Sequence, residues 1–325
     1  MNVIANTKHM ERSEWLALRN KGIGGSDAAV VAGLNKYKSP FTLFLEKTGQ
    51  VVSDEVYVTD EDGAFLSGSE AAYFGNANEE KVAAEFTLRS KLKVRRDNRM
   101  MAHPEYPWML ANIDRRVVGT NEILECKTAS EYLKGEWEGE ELPQQYYIQG
   151  MHYLAVTGAK AVWFAVLIGG NKFIYKRIER DEEVIDHLIA IEKDFWENHV
   201  MTGFAPAIDG SDASTDFLSN MFRGEPGSEM ELDDAADELI GELEEAKESK
   251  KKIDELVKTY ENRLKQMMGD METGQASDHI VTWKSTISNR VDSKLLKTEY
   301  PDVYEAVIKP SVSRRFGIKK IKGAK

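Results

Sequence analysis

An acid at 114, ten intervening residues and then Glu125-Cys126-Lys127 confine the middle of this chain to few arrangements. Glu125 and Lys127 are two apart in an apolar-flanked segment, so a strand places both on one face and Cys126 on the other. A turn at Val118-Gly119-Thr120-Asn121 brings Asp114 alongside on a neighbouring strand. Two carboxylates so placed suit a hard divalent cation, which polarises a phosphate oxygen and lowers the pKa of a bound water. A lysine there orients that water or stabilises developing negative charge. An alternating exposed strand face yields the same residues without purpose, so the reading needs agreement from the rest of the chain.

The chain has 325 residues, enough for one large domain or two ordinary ones, and its 42% hydrophobic content supports a sizeable core. No apolar run reaches membrane-spanning length, and residues 1–10 lack a signal-peptide core, so the expectation is a cytosolic protein. A single cysteine excludes an intramolecular disulfide and a cysteine-based zinc site. The net charge of −12 argues against a coat-like DNA binder but leaves room for an enzyme with a local basic channel. Charge is uneven: residues 307–325 carry Lys309, Arg314, Arg315, Lys319, Lys320, Lys322 and Lys325 with no acid, whereas 225–245 is strongly acidic.

Residues 1–203 read as one α/β domain. Helices are expected over 11–20, from Ala28 after the Gly24-Gly25-Ser26-Asp27 turn, over 41–48 behind Ser39-Pro40, over 69–92, over 143–156 ending at Thr157-Gly158, and over 181–201. Strands are expected at 94–97, 100–102, 109–118 and 122–127, with a hairpin of 161–169 and 172–178 around Gly169-Gly170-Asn171. Residues 51–66 read as a loop or lid and 130–141 as a variable connection. Strands flanked by helices, with hairpins among them, imply a mixed sheet. Residues 204–229, rich in Gly, Pro and Ser, read as a linker.

Beyond the linker the pattern becomes heptads. Leu232, Ala236, Leu239, Leu243, Ala246, Lys250, Ile253, Val257, Tyr260, Leu264, Met267 and Met271 alternate steps of four and three, and only Lys250 breaks the stripe. This predicts a helical arm over 230–273, about 60 Å long at ~1.5 Å per residue, in a coiled coil or an intrachain hairpin. Residues 274–325 read as a small β-rich, basic module whose cations could meet nucleic-acid phosphates.

Further candidates surround the acidic pair. Glu79 or Glu80 could add a third carboxylate from the preceding helix. Gln149 and Tyr153, four apart, share a helix face, where the glutamine could hold the attacking water or a phosphate. His152 and His103 are weaker, because hard carboxylate sites prefer oxygen ligands. Arg19 with the Gly24-Gly25-Ser26 turn suggests an anion site.

In this order the pieces resemble the phage-type alkaline exonucleases, the lambda exonuclease family and its YqaJ-type viral recombinase relatives. The resemblance runs through Trp15-Leu-Ala-Leu-Arg19, Gly22-Ile-Gly-Gly-Ser26-Asp27, Gly75-x-x-x-Glu79, Asp114…Glu125-x-Lys127 and Gln149…Tyr153 to Gly158, covering roughly residues 11–200. It implies a PD-(D/E)XK nuclease fold and Mg²⁺-dependent 5′→3′ degradation of one strand of duplex DNA from an end, with Mn²⁺ a possible substitute. The 3′ overhang would serve a single-strand annealing protein of the RecT or beta type, in a bacterial host carrying the phage or prophage.

The same resemblance implies that Asp114, Glu125 and the Cys126 carbonyl hold the metals, two ions in all, with Glu79 beside the second. Lys127 would orient or activate the water, and Gln149 would lie near the water or scissile phosphate. Arg19, Ser26 and Gly25, with Tyr153 and Lys134, would contact the 5′-phosphate or DNA. Ring-shaped trimers are implied by the family, not by any spacing here. Two residues depart from the pattern: Ile113 stands where a proline precedes the aspartate, and Arg115 where a glycine follows it. The family's basic residue after the Glu-x-Lys strand is out of register, with Lys134 one position beyond Leu133. The rival readings are a PD-(D/E)XK endonuclease of repair or restriction type, and a catalytically silent scaffold for DNA or an annealing protein.

Overall fold

The computed structural model describes residues 1–51, 57–60, 62–222, 224–309 and 316–318. The chain forms two compact units, Met1–Phe222 and Arg223–Lys325. In chain order the first contains β1 (Asn2–Asn6), α1 (Arg12–Arg19), α2 (Gly25–Val31), α3 (Pro40–Lys47), β2 (Tyr57–Thr59), β3 (Phe65–Gly68) and α4 (Glu70–Ser90). Then follow β4 (Val94–Arg96), β5 (Arg99–Ala102), β6 (Leu110–Asn112), β7 (Arg115–Val117), β8 (Glu122–Ala129), a 3₁₀ segment (Glu131–Trp137) and α5 (Gln144–Thr157). β9 (Ala161–Ile168), β10 (Lys172–Glu179), α6 (Glu182–Asp194) and α7 (Asp212–Met221) complete it.

Local chemistry sets the helix ends. Ser39 accepts from Thr42 N ahead of Pro40, Ser69 accepts from Ala72 N, and Asp181 accepts from Val184 N. α5 stops at Gly158, whose φ of 67° is open to glycine at little cost.

The main sheet has the order β10-β9-β8-β7-β4, with β8 and β9 parallel and the other pairs antiparallel. It is the mixed central sheet of an α/β fold, as expected from the sequence, with helices on both faces. Ile123, Val162, Phe164 and Val166 point to one side, into the core shared with α2, α3 and α5. Leu124, Ala165 and the half-buried Cys126 point to the other, against Val82, Ala83 and Phe86 of α4. This is the period-2 division inferred for 122–127. α5 lies close on the first face because residue 150 is glycine. A Cβ there would stand 2.8 Å from Ile178 Cδ1 and 2.9 Å from Val162 Cγ1.

Several expectations need correction. The strand expected over 109–118 is two strands in different sheets. β6 pairs with β5 beside β1, β7 joins the main sheet, and Ile113-Asp114 forms the junction. The ladder yields there because the Asp114 carboxylate accepts from the Cys126 backbone N–H at 2.7 Å, replacing a strand–strand bond. Within 51–66 there is a β2–β3 hairpin, closed by Asp60, which accepts from Asp62 N and Ala64 N, and by Gly63 at φ 85°. Residues 52–56 and 61 lie outside the description. The connection 130–141 carries a 3₁₀ turn whose Trp137 is buried. The helix expected over 181–201 changes to a π segment at Phe195–Val200.

Residues 204–229, whose composition predicts a linker, contain α7. Ser211 caps it by accepting from Ser214 N, and Phe217 sets its ring edge against Phe41 of α3. Side-chain packing outweighs the Gly/Ser content there.

The second unit holds α8 (Asp234–Met268), the ribbon of β11 (Thr273–Gln275) and β12 (Ile280–Thr282), and the short helices α9 (Ser293–Glu299) and α10 (Pro301–Val307). The long arm is therefore a helix of 35 residues, about 52 Å at ~1.5 Å per residue. Among the described residues of 274–325, where a β-rich module is expected, there are one short ribbon and two helices. Residues 285–291 are in no strand, and Asp292 caps α9 by accepting from Lys294 N and Leu295 N. Arg314, Arg315, Lys319, Lys320, Lys322 and Lys325 lie outside the described residues. Among the described residues no helix is long and apolar enough to cross a membrane.

Candidate active site

β7 and β8 pair Arg115 with Leu124 and Arg116 with Ile123, so the same register sets Asp114 opposite Glu125. Their contact is direct: Asp114 N donates to Glu125 Oε1 at 3.3 Å. Lys127 extends from the same face and its Nζ donates to Glu125 Oε2 at 3.2 Å. From α5, Gln149 Nε2 donates to Glu125 Oε2 at 3.4 Å and to the Tyr153 hydroxyl at 3.3 Å. Glu125 is only 2% exposed, an unusual place for a carboxylate with one lysine beside it.

The electrostatics follow from that burial. Desolvation and the neighbouring Asp114 push the Glu125 carboxyl above its ordinary pKa, against the pull of Lys127. Asp114 is raised too, by desolvation, with Lys127 opposing and Glu79 adding. Burial works to lower Lys127, but the carboxylates of Glu125 and Asp114 outweigh it and hold its ammonium above the usual range. The acidic pair is short of positive charge.

Oxygen donors fit a hard divalent cation in that place. In an extended strand a residue's N–H and C=O project toward the same edge. The Cys126 N–H points to Asp114, so its carbonyl faces the acidic pair as well. The protein would then supply two carboxylates and one carbonyl. Among the described residues no group of three His, Cys, Asp or Glu side chains forms a metal cage. His152 and His103 are not ligands in this arrangement. His152 is buried between Glu192 Oε1 (2.7 Å) and the Leu110 carbonyl (2.9 Å), and His103 accepts from the backbone N–H groups of Glu105 and Tyr106.

Glu79 faces the same cleft from α4, but its carboxylate is engaged. Arg115 Nη1 and Arg96 Nη2 both bond Glu79 Oε1, and Arg115 Nη2 reaches Glu80 at 2.7 Å. In the sequence Arg115 stands out only as a departure from the family pattern. In the structure it is 2% exposed and clamps the third acid, and no local pattern announced that, since partner and clamp are 36 residues apart. Replacing Arg115 with Met is expected to cost about 2 kcal/mol. That is less than the ~3–5 for breaking a fully buried pair, because Glu80 is exposed and Arg96 still serves Glu79. Urea unfolding checks this: an unchanged midpoint would show the clamp to be energetically idle.

The other end of the cleft is built by α1 and α2. Arg19 Nη2 donates to Ser26 Oγ and lies 3.4 Å from Asp27 Oδ1, with its guanidinium 5.3 Å from the Trp15 ring centroid. Lys47 of α3, absent from the sequence-based candidates, pairs with Asp27 Oδ2 at 2.7 Å, almost wholly buried. Burial works to raise Asp27, but Lys47 and Arg19 outweigh it and hold the carboxyl well below the usual range. Gly25 allows α5 to approach, since a Cβ there would stand 2.5 Å from Tyr153 Cε1. Gly25→Ala is expected to lose about 1–3 kcal/mol by overpacking. A melting temperature equal to wild type would mean that the Tyr153 ring swings aside freely.

Arg19, Gly25, Ser26, Glu79, Asp114, Glu125, Cys126, Lys127, Gln149 and Tyr153 thus line one cleft of about 430 Å³. Lys134 does not. It sits in the 3₁₀ segment, 3.9 Å from Glu131, consistent with its being out of register in the sequence.

A family model for the YqaJ-like viral recombinase domain matches residues 14–160, which run from within α1 through α5 and include every residue just placed in the cleft. Across nearly the whole chain, YqaJ of Bacillus subtilis (strain 168) is 47% identical over 322 residues, 98% of each protein. The chain belongs to the YqaJ-like viral recombinase family. Among solved structures it is similar to the alkaline exonuclease LHK-Exo from Laribacter hongkongensis. The alignment has 18% identity and a TM-score of 0.47, covering 59% of this chain and 94% of that one. The LHK-Exo complex with dAMP gives 20% identity and 0.48 over the same shares. YqaJ-like family membership and the Asp…Glu-x-Lys centre together support a nuclease.

Proposed function

We propose that this YqaJ-like protein is a divalent-metal-dependent 5′→3′ exonuclease acting on linear double-stranded DNA and leaving 3′ overhangs for single-strand annealing. One observation carries the reading: the Asp114–Glu125–Lys127 centre and the Arg19–Ser26 pair line a single cleft. A guanidinium and a hydroxyl at a fixed place beside a cleavage centre suit a terminal phosphate, which an enzyme cutting internally does not need.

Asp114, Glu125 and the Cys126 carbonyl would hold Mg²⁺, or Mn²⁺ in its place. The cation supplies Lewis acidity at the phosphate and compensates charge in the transition state. Lys127, an ammonium donor beside Glu125, orients the nucleophilic water or stabilises the developing charge. Gln149, anchored by Tyr153, positions that water or the scissile phosphate. Its partners in this reading are duplex ends and an annealing protein, and assembly into a ring rests on the family resemblance.

The test is a linear duplex with a 5′-phosphate and a label on each strand, incubated with and without Mg²⁺ beside a closed circle. Release of 5′ label as mononucleotide from the linear DNA, with the circle intact, is the expected result. Cutting of the circle would establish an endonuclease, and inertness with every divalent metal would leave a binding scaffold.

A further inference from the structure

α8 presents an apolar stripe that the other described residues of its own unit leave uncovered. None of its 35 residues is buried, and Leu239, Ile253, Val257, Tyr260, Leu264 and Met267 are each exposed over 44% or more of their surface. Helices in proteins owe most of their stability to packing of one apolar face, so a stripe repeating over five heptads calls for a partner helix.

The charge along α8 selects the partner. Residues 234–245 hold six acids and no base. Residues 246–268 hold seven bases (Lys247, Lys250, Lys251, Lys252, Lys258, Arg263, Lys265) against four acids, a net of +3. A parallel, in-register pair would align the two acidic halves and put Lys250 opposite Lys250 at the seam. An antiparallel pair lays the acidic segment 234–245 of each copy along 258–268 of the other, where Lys258, Arg263 and Lys265 outnumber Glu261 and opposite charges attract, while 246–257 faces its own counterpart at a net charge of only +1.

The antiparallel seam is also self-complementary. Pairing Leu239 with Leu264 of a second copy brings Leu243 to Tyr260, Ala246 to Val257 and Lys250 to Ile253, and the two-fold repeats each layer. The lone polar residue of the stripe then lies along an isoleucine, with its ammonium free to reach solvent. Residue i meeting j while j meets i is the condition for a closed two-fold interface.

We infer that α8 is a dimerisation element that pairs antiparallel with α8 of a second copy of this chain. The experiment uses the full-length protein without DNA at about 50 μM, a concentration at which an interface of ~10 μM affinity (about −7 kcal/mol) is mostly occupied. Sedimentation equilibrium should give an even multiple of the chain mass, and Ile253→Asp should halve it with helicity by circular dichroism unchanged. For orientation, Leu239→Cys alone should give no disulfide-linked dimer beyond the wild-type background, while mixing Leu239→Cys with Leu264→Cys should give one. A single-chain or odd-multiple mass, a mass indifferent to Ile253→Asp, or self-linking of Leu239→Cys would each overturn the inference.

Discussion

Asp114→Ala is expected to lower kcat/KM for linear duplex by at least ~10³-fold, because a carboxylate contributing several kcal/mol of charge stabilisation is lost from the cation site. The substitution also removes the acceptor of the Cys126 N–H, so a structural consequence has to be separated from a chemical one. Asp114→Asn does that: an amide oxygen can still accept from Cys126 N while the negative charge is gone. Both variants should be inactive, and Asp114→Asn should unfold in urea close to wild type. Turnover near wild type in either would remove Asp114 from the centre. Calorimetric titration with Mn²⁺ supplies a second readout, since the heat of binding should shrink in both.

Arg19→Ala is expected to reduce the preference for 5′-phosphorylated over 5′-hydroxyl ends by about 10–100-fold, the equivalent of ~1.5–3 kcal/mol for hydrogen bonds to a charged group. A ratio is the right quantity. Asp27 is buried and bonded to both Arg19 and Lys47, so losing Arg19 also disturbs α2 and lowers activity on every substrate. Such a structural loss cancels between the two ends, whereas loss of a phosphate contact does not. If kcat/KM falls equally on both, Arg19 serves Asp27 alone and the terminal-phosphate reading fails. The exonuclease proposal would then rest on the behaviour of the closed circle.

The two experiments probe opposite ends of one cleft, and the fold explains why those ends meet. α2 packs on α5 through Gly25 and Tyr153. α5 in turn packs on the sheet through Gly150 and turns Gln149 toward Glu125. Two glycines, far apart in sequence, set the spacing between the Arg19 end and the acidic end.

Local sequence sets the chemistry of the centre and most of the secondary-structure elements. The turn at 118–121 has its centre midway between 114 and 125, so hairpin geometry alone makes that acid pair face each other. Period 2 divides Glu125 and Lys127 from Cys126, and caps at Ser39, Ser69 and Asp181 start helices where their side chains satisfy backbone donors. These signals are local, acting within a few residues of where they are written.

Tertiary structure alone decided what depends on residues brought from afar. It split 109–118 at Asp114, because a side chain there outcompetes the ladder for the Cys126 N–H. It gave Glu79 to Arg115 and Asp27 to Lys47, and it sank His152 onto Glu192, 40 residues away. It folded α7 out of a Gly- and Ser-rich stretch, because Phe217 finds Phe41. In each case the burial of a charge or ring makes one distant partner far better than water. That preference does not exist until the chain has closed around it.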